Sequence, residues 1–403
     1  MESIFIQIAS YRDPELIPTI DDLLKNAKHP ERLTICIAHQ HSKEDKWDTL
    51  EKYSQDGRFI IIDIPHEESL GACWARNQIQ QHYDGQTYTL QLDSHHRFVE
   101  GWDTISVKML KDLQAKGHPK PLLTGYIPSY NPKKDPEERH HQPWGMRFDK
   151  FTPEGIVFFL PYHIEEKEVE PLKARFYSAH FAFTLGEFCN EVPHDPLLYF
   201  HGEEITIAVR AFTYGYDLFH PNEIIAWHEY TREGRTKHWD DDKQWNDKNL
   251  RAHSRTRSLL GVDGEVCTPC NSKSFEGYNI GDQRTIADYE LYSGIRFKDR
   301  LTTNECTKNS LPPGNLQDTY LLKFNHVIDF KASLFKLDDY DFAALIFTDN
   351  QNQEIYRRDY SDFNFILTNP KITVSENIPR PYAWIIWAYS KSKGWAEKIH
   401  GII

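Results

Sequence analysis

The sequence has little that points to a secreted, membrane-spanning or nucleic-acid-binding protein. No apolar run approaches the roughly 18 residues that a spanning helix needs. The opening MESIFIQIASYRDP has only a short apolar stretch and no basic start, so we expect no secretory signal. The 47 Lys and Arg against 60 Asp and Glu give a net charge of −13. Because nucleic-acid-binding surfaces are basic, we expect no nucleic-acid partner.

Cysteine is also scarce, with six in 403 residues, and we expect a reducing, cytoplasmic location. Cys36 in LTICIA and Cys73 in GACWARN occupy positions suited to small buried hydrophobic residues. Cys267 and Cys270 form a lone C-x-x-C. Three interpretations of this pair stay open: incidental thiols, a redox pair or disulfide, and a zinc site that would need further ligands nearby.

Strand and helix patterns alternate over the first hundred residues. Strands are predicted at IFIQIASY, RLTICIAHQ, RFIIIDIP and YTLQLD, with helices between them at DPELIPTIDDLLKNA, KEDKWDTLEKYSQ and GACWARNQIQQHY. Asp13 before Pro14 is expected to cap the first helix. This order predicts an α/β fold with a parallel sheet covered on both faces, and ligands beyond the carboxyl ends of its strands.

The last ninety residues have a different pattern. The polar stretch NECTKNSLPPGN, 304 to 315, has the composition of a domain boundary. We therefore predict a catalytic domain at 1–303 and an accessory module at 316–403. The runs YLLKFNHVIDF, FAALIFTDN, FNFILTN and AWIIWAYS predict short strands, and hence a small β-sandwich-like module. Acceptor docking, partner binding and dimerisation are its candidate roles.

The stretch LQLDSHHRF ends an apolar run with a carboxylate and two imidazoles. On an extended chain Asp93 and His95 face the same side, which favours a metal site over a simple turn. His228, from a later strand, would complete a partial ligand set, with phosphate oxygens and water filling the rest. The mixture of oxygen and nitrogen suits Mn²⁺ better than Mg²⁺. His96 points the other way and is expected to be structural.

Two further motifs carry candidate site residues. In SLGACWARN, Gly71 permits a tight turn and Arg76 falls on the following helix. In HGEE, Glu203 and Glu204 follow Gly202, although Glu204 could equally be an acid in the first turn of a helix. Three other aromatic side chains could either pack in the core or stack on a sugar: Trp144, His201 and Trp227.

In these ordered motifs the chain resembles the cytoplasmic polypeptide-hydroxyproline α-N-acetylglucosaminyltransferases, a retaining glycosyltransferase family with bacterial members. The likeness covers roughly residues 3 to 297 and includes IFIQIASYRDPEL, QLDSHHRF, EVPHDPLLYFHGEE, YGYDLFHP, WHEYTR and GDQRTIADYELYSGIRF. The D-x-H segment is also similar to that of the mucin-type polypeptide GalNAc transferases. The resemblance implies a GT-A fold with a Rossmann-like nucleotide-sugar domain, a UDP-sugar donor and Mn²⁺.

The resemblance also implies roles for individual residues. It makes Asp93, His95 and His228 the metal ligands, and places Glu203, with Glu204 beside it, at the donor sugar. The donor-binding positions that it implies are Ala9, Ser10, Tyr11, Arg12, His39, Gly71, Arg76, Asp93, Ser94, Arg232 and Arg235. Many GT-A enzymes have an acidic residue that binds the uracil after the second strand, but this chain reads IAHQHSKED there. Uracil recognition by His39 or Gln40 is therefore left open. Arg232 and Arg235 could bind the diphosphate or could be solvated loop residues.

The function expected from the resemblance is transfer of GlcNAc from UDP-GlcNAc to a hydroxyl group of a protein or surface glycan, with retention at the anomeric carbon. The ion would stabilise charge on the leaving diphosphate, and front-face attack would deliver the acceptor proton to that group. Alternatives are UDP-GalNAc or UDP-Glc as donor, a non-catalytic carbohydrate-binding protein, and a metal-dependent hydrolase. A homo-oligomer is compatible with each.

Overall fold

The computed structural model describes residues 2–165, 167–231, 234–264, 275–303, 306, 323–376, 378 and 380–403. The strands, in chain order, are β1 (Ile4–Tyr11), β2 (Leu33–His41), β3 (Phe59–Pro65), β4 (Tyr88–Asp93), β5 (His96–Phe98), β6 (Pro121–Thr124), β7 (Trp144–Phe151), β8 (Val157–His163), β9 (Leu172–Lys173), β10 (Phe181–Leu185), β11 (Asp217–His220), β12 (Ala226–His228), β13 (Ile295–Arg296), β14 (Leu301–Thr302), β15 (Lys323–Asp329), β16 (Tyr340–Thr348), β17 (Glu354–Tyr360), β18 (Lys371–Glu376), β19 (Ala383–Ser390), β20 (Gly394–Trp395) and β21 (Ile399–Ile402). The α-helices are α1 (Leu16–Asn26), α2 (Ala72–Gln80), α3 (Trp102–Ala115), α4 (Phe188–Glu191), α5 (Glu203–Thr213), α6 (His238–Asp241), α7 (Trp245–Leu260), α8 (Ile286–Ser293) and α9 (Phe363–Thr368).

An eight-stranded sheet organises the first domain, in the order β3-β2-β1-β4-β10-β6-β11-β9. The four predicted strands, β1 to β4, are all parallel to one another, which confirms the α/β prediction. The rest of the sheet is mixed, because β10 runs antiparallel to both of its neighbours, β4 and β6. The carboxyl ends of β1, β2 and β4 therefore meet at one edge of the sheet.

Alternate residues of the central strands are buried on opposite faces. Ile6 and Ile8 of β1 pack with Leu16 and Ile20 of α1 on one face, while Phe5 packs against α2 on the other. Side chains alternate along a strand, so a run that is apolar at every position must be covered on both sides. Because of this double burial, the sequence predicts these strands well.

Two features of the first domain differ from the sequence prediction. Helix α1 begins at Leu16 with Glu15 at the N-cap position, two residues later than predicted, but Asp13 still caps the preceding turn, because its Oδ1 accepts a hydrogen bond from the backbone N–H of Glu15 at 2.9 Å. The segment KEDKWDTLEKYSQ forms turns and a short 3₁₀ helix, Glu51–Tyr53, rather than an α-helix. Its carboxylates bind partners outside the segment: Asp45 binds Arg12, and Asp48 binds His39. These tertiary contacts override local helix propensity.

A second core lies under α5, α7 and α8 and includes Ile205, Ala208 and Tyr289. The run GEEITIAVRAFTYGY, 202 to 216, predicts a helix, and α5 confirms it over Glu203–Thr213. Among the residues described, no helix has the length and apolar character that crossing a bilayer requires. The described cysteines are buried free thiols: Cys36, Cys73, Cys189 and Cys306. Cys267 and Cys270 lie outside the described residues.

The C-terminal module consists of two sheets with a shared core. One sheet has the order β13-β14-β15-β18, and the other has β17-β16-β19-β20 with β21 also on β19. Trp384 faces the shared core, whereas Trp387 and Tyr389 lie on the outer face of β19. The β-rich module is thus confirmed. The run FNFILTN was wrongly predicted as a strand, because Asp362 caps the short helix α9 and Phe363 and Ile366 are buried on its inner face.

The module contacts the first domain around Arg300. Its guanidinium binds Asp263 at 2.6 and 2.8 Å and donates to Nδ1 of His326 on β15 at 3.1 Å. Arg380 of the module also binds Asp263, at 2.5 Å. Because β14 already pairs with β15, the module's sheet includes residues before 303. Apart from Cys306, the boundary segment 304–315 lies outside the described residues, so the division at 303 stays a prediction.

Candidate active site

Two neighbouring sheets bring the D-x-H segment to His228. Asp93 ends β4 and lies beside Ala9 of β1. The chain then enters β5, which pairs antiparallel with β12 so that His96 is opposite His228. The carboxylate of Asp93 and the two imidazoles of His95 and His228 therefore converge at the edge where parallel-sheet proteins bind their ligands.

The donor atoms of Asp93, His95 and His228 all lie within 4.8 Å of one another. Oδ2 of Asp93 is 3.8 Å from Nε2 of His95 and 3.5 Å from Nε2 of His228. Both ring nitrogens of His228 are buried, and neither reaches a hydrogen-bond partner among the described residues. Buried polar atoms are rarely left unpaired. One carboxylate and two imidazoles therefore fit a divalent transition-metal ion.

Asp13 orients the ring of His95 by binding its Nδ1. Its Oδ2 accepts hydrogen bonds from Ser94 Oγ at 2.7 Å, His95 Nδ1 at 2.7 Å and Arg235 Nη1 at 2.9 Å. Burial alone would raise the pKa of Asp13, but His95, Arg235 and Ser94 together hold it well below its ordinary value. Because a carboxylate can only accept, Nδ1 of His95 carries the proton and Nε2 is left to face Asp93.

Arg235 supports this arrangement. Besides the bond to Asp13, its Nη2 donates to Oε2 of Glu229 at 2.6 Å. With both ends of the guanidinium bound, Arg235 is held beside the D-x-H segment. The resemblance predicted that Arg235 binds the diphosphate, and Arg235 lines a cavity of about 160 Å³ beside the cluster. Arg232, predicted with it, lies outside the described residues.

Arg76 links the metal candidate to α5. It is 5% exposed, donates to Oδ1 of Asp93 at 2.8 Å and lies 4.0 Å from Oε1 of Glu203. Burial would raise the pKa of Asp93, but His228, Arg76 and His95 together hold it well below the ordinary value. Gly71 before α2 has φ 114°, and a Cβ there would lie 3.0 Å from a backbone oxygen, so the turn that delivers Arg76 requires glycine.

The two glutamates at the start of α5 have different surroundings. Glu203 is buried and faces Arg76. Glu204 accepts a hydrogen bond from the backbone N–H of Ala179 at 3.0 Å and lies 3.4 Å from the hydroxyl of Tyr126. Burial, and then the charge of Glu203, raise the pKa of Glu204 above that of an ordinary carboxyl. Glu204 is thus an acid in the first turn of α5 and also lines a cavity.

Two cavities meet at this cluster. One has a volume of about 460 Å³ and the other about 160 Å³, and both are lined by Arg76, Asp93 and His228. Other residues of the smaller cavity include Ala9, Tyr11, Gln40, Gly71, Ser94, His95 and Arg235. The larger cavity is lined by both glutamates and by aromatic side chains that include Phe158, Phe200, His201, Trp239 and Trp245.

Several predicted site residues lie elsewhere. Ser10 is fully buried beneath the sheet edge. Arg12 is bound by Asp45 at 2.6 Å and by Asp241 at 3.1 Å. His39 lines a separate cavity. None of the three lines the smaller or the larger cavity.

The remaining aromatic candidates divide between cavity and packing. Trp227 donates its indole N–H to His140 O at 2.8 Å, and Trp144 packs against His140. Neither lines the two cavities, whereas His201 lines the larger one. His96 is fully buried and its Nδ1 is 3.0 Å from the backbone oxygen of Asp93, which agrees with its predicted structural role.

Sequence reasoning missed two neighbours of the cluster. Asp13 was interpreted only as a helix cap, because Asp before Pro is a common start signal, and its hydrogen bond to His95 was not predicted. His180 stacks on His228 with ring centroids 4.2 Å apart, and it lies in the turn just before β10, far from His228 in the sequence. No local pattern identifies His180, because the contact forms only when distant parts of the chain pack together.

Comparison with known proteins identifies the family. The family model described as Glycosyltransferase (GlcNAc) matches residues 3–58 and 51–299. The chain belongs to this GlcNAc glycosyltransferase family. It is thus a glycosyltransferase, and the cluster described above lies within the matched region.

One solved structure shows the fold. The crystal structure of GalNAc-T7 with UDP, GalNAc and Mn²⁺ matches with a TM-score of 0.50 and 12% identity, covering 98% of this chain and 68% of that one. At this identity the likeness shows the GT-A fold alone. S. aureus TarS 1–349 in complex with UDP matches more weakly, with a TM-score of 0.37 and 12% identity over 68% of this chain and 78% of that one. No curated protein matches significantly.

Proposed function

We propose that this glycosyltransferase moves GlcNAc from UDP-GlcNAc to an acceptor hydroxyl with retention of anomeric configuration, using Mn²⁺ held by Asp93, His95 and His228. The observation that carries the proposal is the position of these three residues at the junction of two cavities. A nucleoside diphosphate sugar lying across such a junction would place its base in one cavity and the sugar to be transferred in the other. The GalNAc-T7 structure, which shares the fold, contains UDP and Mn²⁺.

The two cavities suggest a division of the donor. The smaller cavity, next to Ala9, Tyr11 and Gln40, would receive the uridine. The larger cavity, with Glu203 and its aromatic wall, would receive the sugar and the acceptor. When bound, Mn²⁺ would stabilise the negative charge that develops on the departing diphosphate. Arg76, buried against Asp93, would keep that carboxylate ionised and in place.

Retention requires attack from the side on which UDP departs, or a covalent intermediate. We propose the former. The acceptor oxygen bonds to the anomeric carbon while the bond between the anomeric carbon and the phosphate oxygen breaks. The released phosphate oxygen takes the proton of the acceptor hydroxyl. Glu203 would position the sugar and stabilise its positive charge, as an anion beside an oxocarbenium-like centre does. The raised pKa of Glu204 would let it keep a proton and act as a hydrogen-bond donor.

The family name supports GlcNAc as the donor sugar, with UDP-GalNAc and UDP-Glc as alternatives. The motifs shared with the hydroxyproline GlcNAc transferases favour a protein hydroxyl as acceptor, and a surface glycan is the second candidate. A non-catalytic carbohydrate-binding role is less well supported, because the family that the chain matches is one of glycosyltransferases.

A donor screen tests the proposal. UDP release from UDP-GlcNAc, UDP-GalNAc and UDP-Glc would be measured without acceptor, with GDP-mannose as the control nucleotide sugar. We expect Mn²⁺-dependent release that is fastest with UDP-GlcNAc. Equal turnover after exhaustive chelation, or faster hydrolysis of substrates without a nucleotide, would contradict it. Once an acceptor is found, NMR of the first-formed product should show the α-linkage of the donor, and a β-linkage would exclude retention.

A further inference from the structure

A second cluster of metal-binding side chains lies on the other face of the sheet. Strands β2 and β3 are parallel and place His39 directly beside Asp63. His41, two residues further along β2, falls on the same face. The His39 and His41 rings stack, with centroids 4.5 Å apart and planes 11° apart. Donor atoms of the three residues all lie within 4.8 Å of one another.

The ring of His39 is already oriented as a metal ligand would be. Its Nε2 is 2.8 Å from Oδ1 of Asp48, and the two side chains are only 5% and 1% exposed. Metal-bound histidines almost always donate their second ring nitrogen to a carboxylate or carbonyl, which fixes the tautomer. With Nε2 donating to Asp48, Nδ1 of His39 is the nitrogen that has a free lone pair.

The other two ligands form a pair open to solvent. Nε2 of His41 is 2.7 Å from Oδ1 of Asp63, with the two side chains 20% and 75% exposed. A bound cation would replace the proton that these two atoms share. The neighbouring cavity of about 490 Å³ is lined by His39, His41 and Asp63, and by Asp48 behind them. An ion therefore has a route from solvent to all three donors.

This cluster is separate from the active site. His39 continues the face of Ile35 and Ile37, which packs against α1. Ala38 belongs to the opposite face, and Ala9, which pairs with both Ala38 and Asp93, places Asp93 on that opposite face too. Neither His41 nor Asp63 lines either of the two active-site cavities.

We propose that His39, His41 and Asp63 form a second binding site for a divalent transition-metal ion, with Asp48 as the residue that positions His39. Two imidazole nitrogens and one carboxylate oxygen suit Zn²⁺, Co²⁺ or Ni²⁺, with water in the remaining position. The ion would tie β2 to β3 at the base of the loop that carries Asp45, the partner of Arg12 at the end of β1.

Zn²⁺ titration of metal-free full-length protein by calorimetry tests the site. All samples carry Asp93→Asn and His228→Ala to disable the active-site cluster, and Cys267→Ser and Cys270→Ser to remove the C-x-x-C thiols. We expect one Zn²⁺ per chain. Adding His41→Ala should weaken binding at least tenfold, and Asp48→Asn should weaken it by roughly 10- to 100-fold as other orienting carboxylates do. His82→Ala, an exposed histidine outside both clusters, is the matched control.

Co²⁺ absorption provides a second readout. The Co²⁺-loaded background protein should show ligand-field bands that disappear with His41→Ala and persist with His82→Ala. Because His41 and Asp63 are partly exposed, the His41→Ala and Asp63→Asn chains should keep the circular dichroism spectrum of the parent without metal. Absence of Zn²⁺ binding in the background protein, or unchanged binding after His41→Ala, would overturn the proposal.

Discussion

Asp13 is the residue whose role depends most on its tertiary surroundings. It accepts hydrogen bonds from Ser94, His95 and Arg235, so its carboxylate fixes the tautomer of His95. We expect Asp13→Asn to weaken Mn²⁺ binding by about 10- to 100-fold, the usual effect of losing an orienting carboxylate. Free Mn²⁺ measured by electron paramagnetic resonance during titration reports this directly. Asp112→Asn, on the exposed side of α3, is the control, and equal affinities for the two variants would refute this role for Asp13.

Glu203 differs from Asp13 because it lines the larger cavity but not the smaller one. If the nucleotide occupies the smaller cavity, Glu203→Gln should leave UDP affinity nearly unchanged while kcat falls by about 100-fold, the scale for losing one group that stabilises a transition state. Calorimetry with UDP and steady-state donor hydrolysis separate the two effects. Lost UDP binding with normal turnover at saturation would contradict this placement of the donor.

At the scale of single elements, α5 depends on the glycine before it. Gly202 has φ 105°, and a Cβ there would lie 2.3 Å from Oγ1 of Thr256. Gly202→Ala should therefore cost roughly 1–3 kcal/mol of unfolding free energy, from backbone strain together with the clash. Gly57→Ala is the matched control, because nothing lies within 4 Å of its added Cβ. Urea unfolding measures both. Equal midpoints for the two variants would show that the turn tolerates a side chain.

The elements that the sequence predicts well are those buried on both faces or on one regular stripe. Strands β1, β2 and β4 and helix α1 fall in this class, because apolar periodicity records burial directly. The segment KEDKWDTLEKYSQ, 43 to 55, and the run FNFILTN were wrongly predicted. In the first, Asp45 and Asp48 bind residues distant in sequence. In the second, the capping carboxylate of Asp362 decides the local fold, and a short apolar run alone does not separate strand from helix.

The same distinction applies to the candidate site. The local spacing of Asp93 and His95 predicts their shared side, and the structure brings them to His228. By contrast, Asp13 and His180 reach the cluster only through the packing of α1 and the antiparallel strand β10, which a single sequence does not record. Ser10, Arg12 and His39 were expected at the donor because they lie in or just after the last residues of strands that end at the ligand-binding edge. Alternation along those strands and pairing with Asp45 and Asp48 turn them away from it.

At the scale of the whole molecule, the module is attached through a buried histidine. His326 is 5% exposed and accepts a hydrogen bond from Arg300. Burial, and then the charge of Arg300, lower the pKa of His326 to about 3. The unfolded chain binds this proton near pH 6.5 and the native state does not. The contribution of His326 to stability is therefore complete above pH 6.5 and is lost as the pH falls from there toward 3.

A pH series of urea unfolding tests this linkage. Between pH 7.5 and 5, His326 should account for about 2 kcal/mol of the stability that the wild type loses. His326→Gln should remove that part of the pH dependence, whereas His400→Gln, an exposed histidine of the same module, should leave it unchanged. Other buried histidines such as His220 add to the wild-type slope, so the difference between variants is the informative quantity. If the unfolding free energies of the wild type and His326→Gln changed with pH in parallel, His326 would not contribute to the pH dependence of stability.

The proposed role of Asp93, His95 and His228, at the junction of the two cavities, is to hold a cation that drives turnover of a UDP-sugar. It is tested most directly by measuring Mn²⁺ binding and UDP release together in the wild type and in Asp93→Asn, with Asp112→Asn as control. Wild type and control should lose UDP release on chelation and regain it with Mn²⁺. Asp93→Asn should lose both Mn²⁺ binding and UDP release while still unfolding cooperatively. Undiminished UDP release by folded Asp93→Asn protein, or by chelated wild type, would contradict the account.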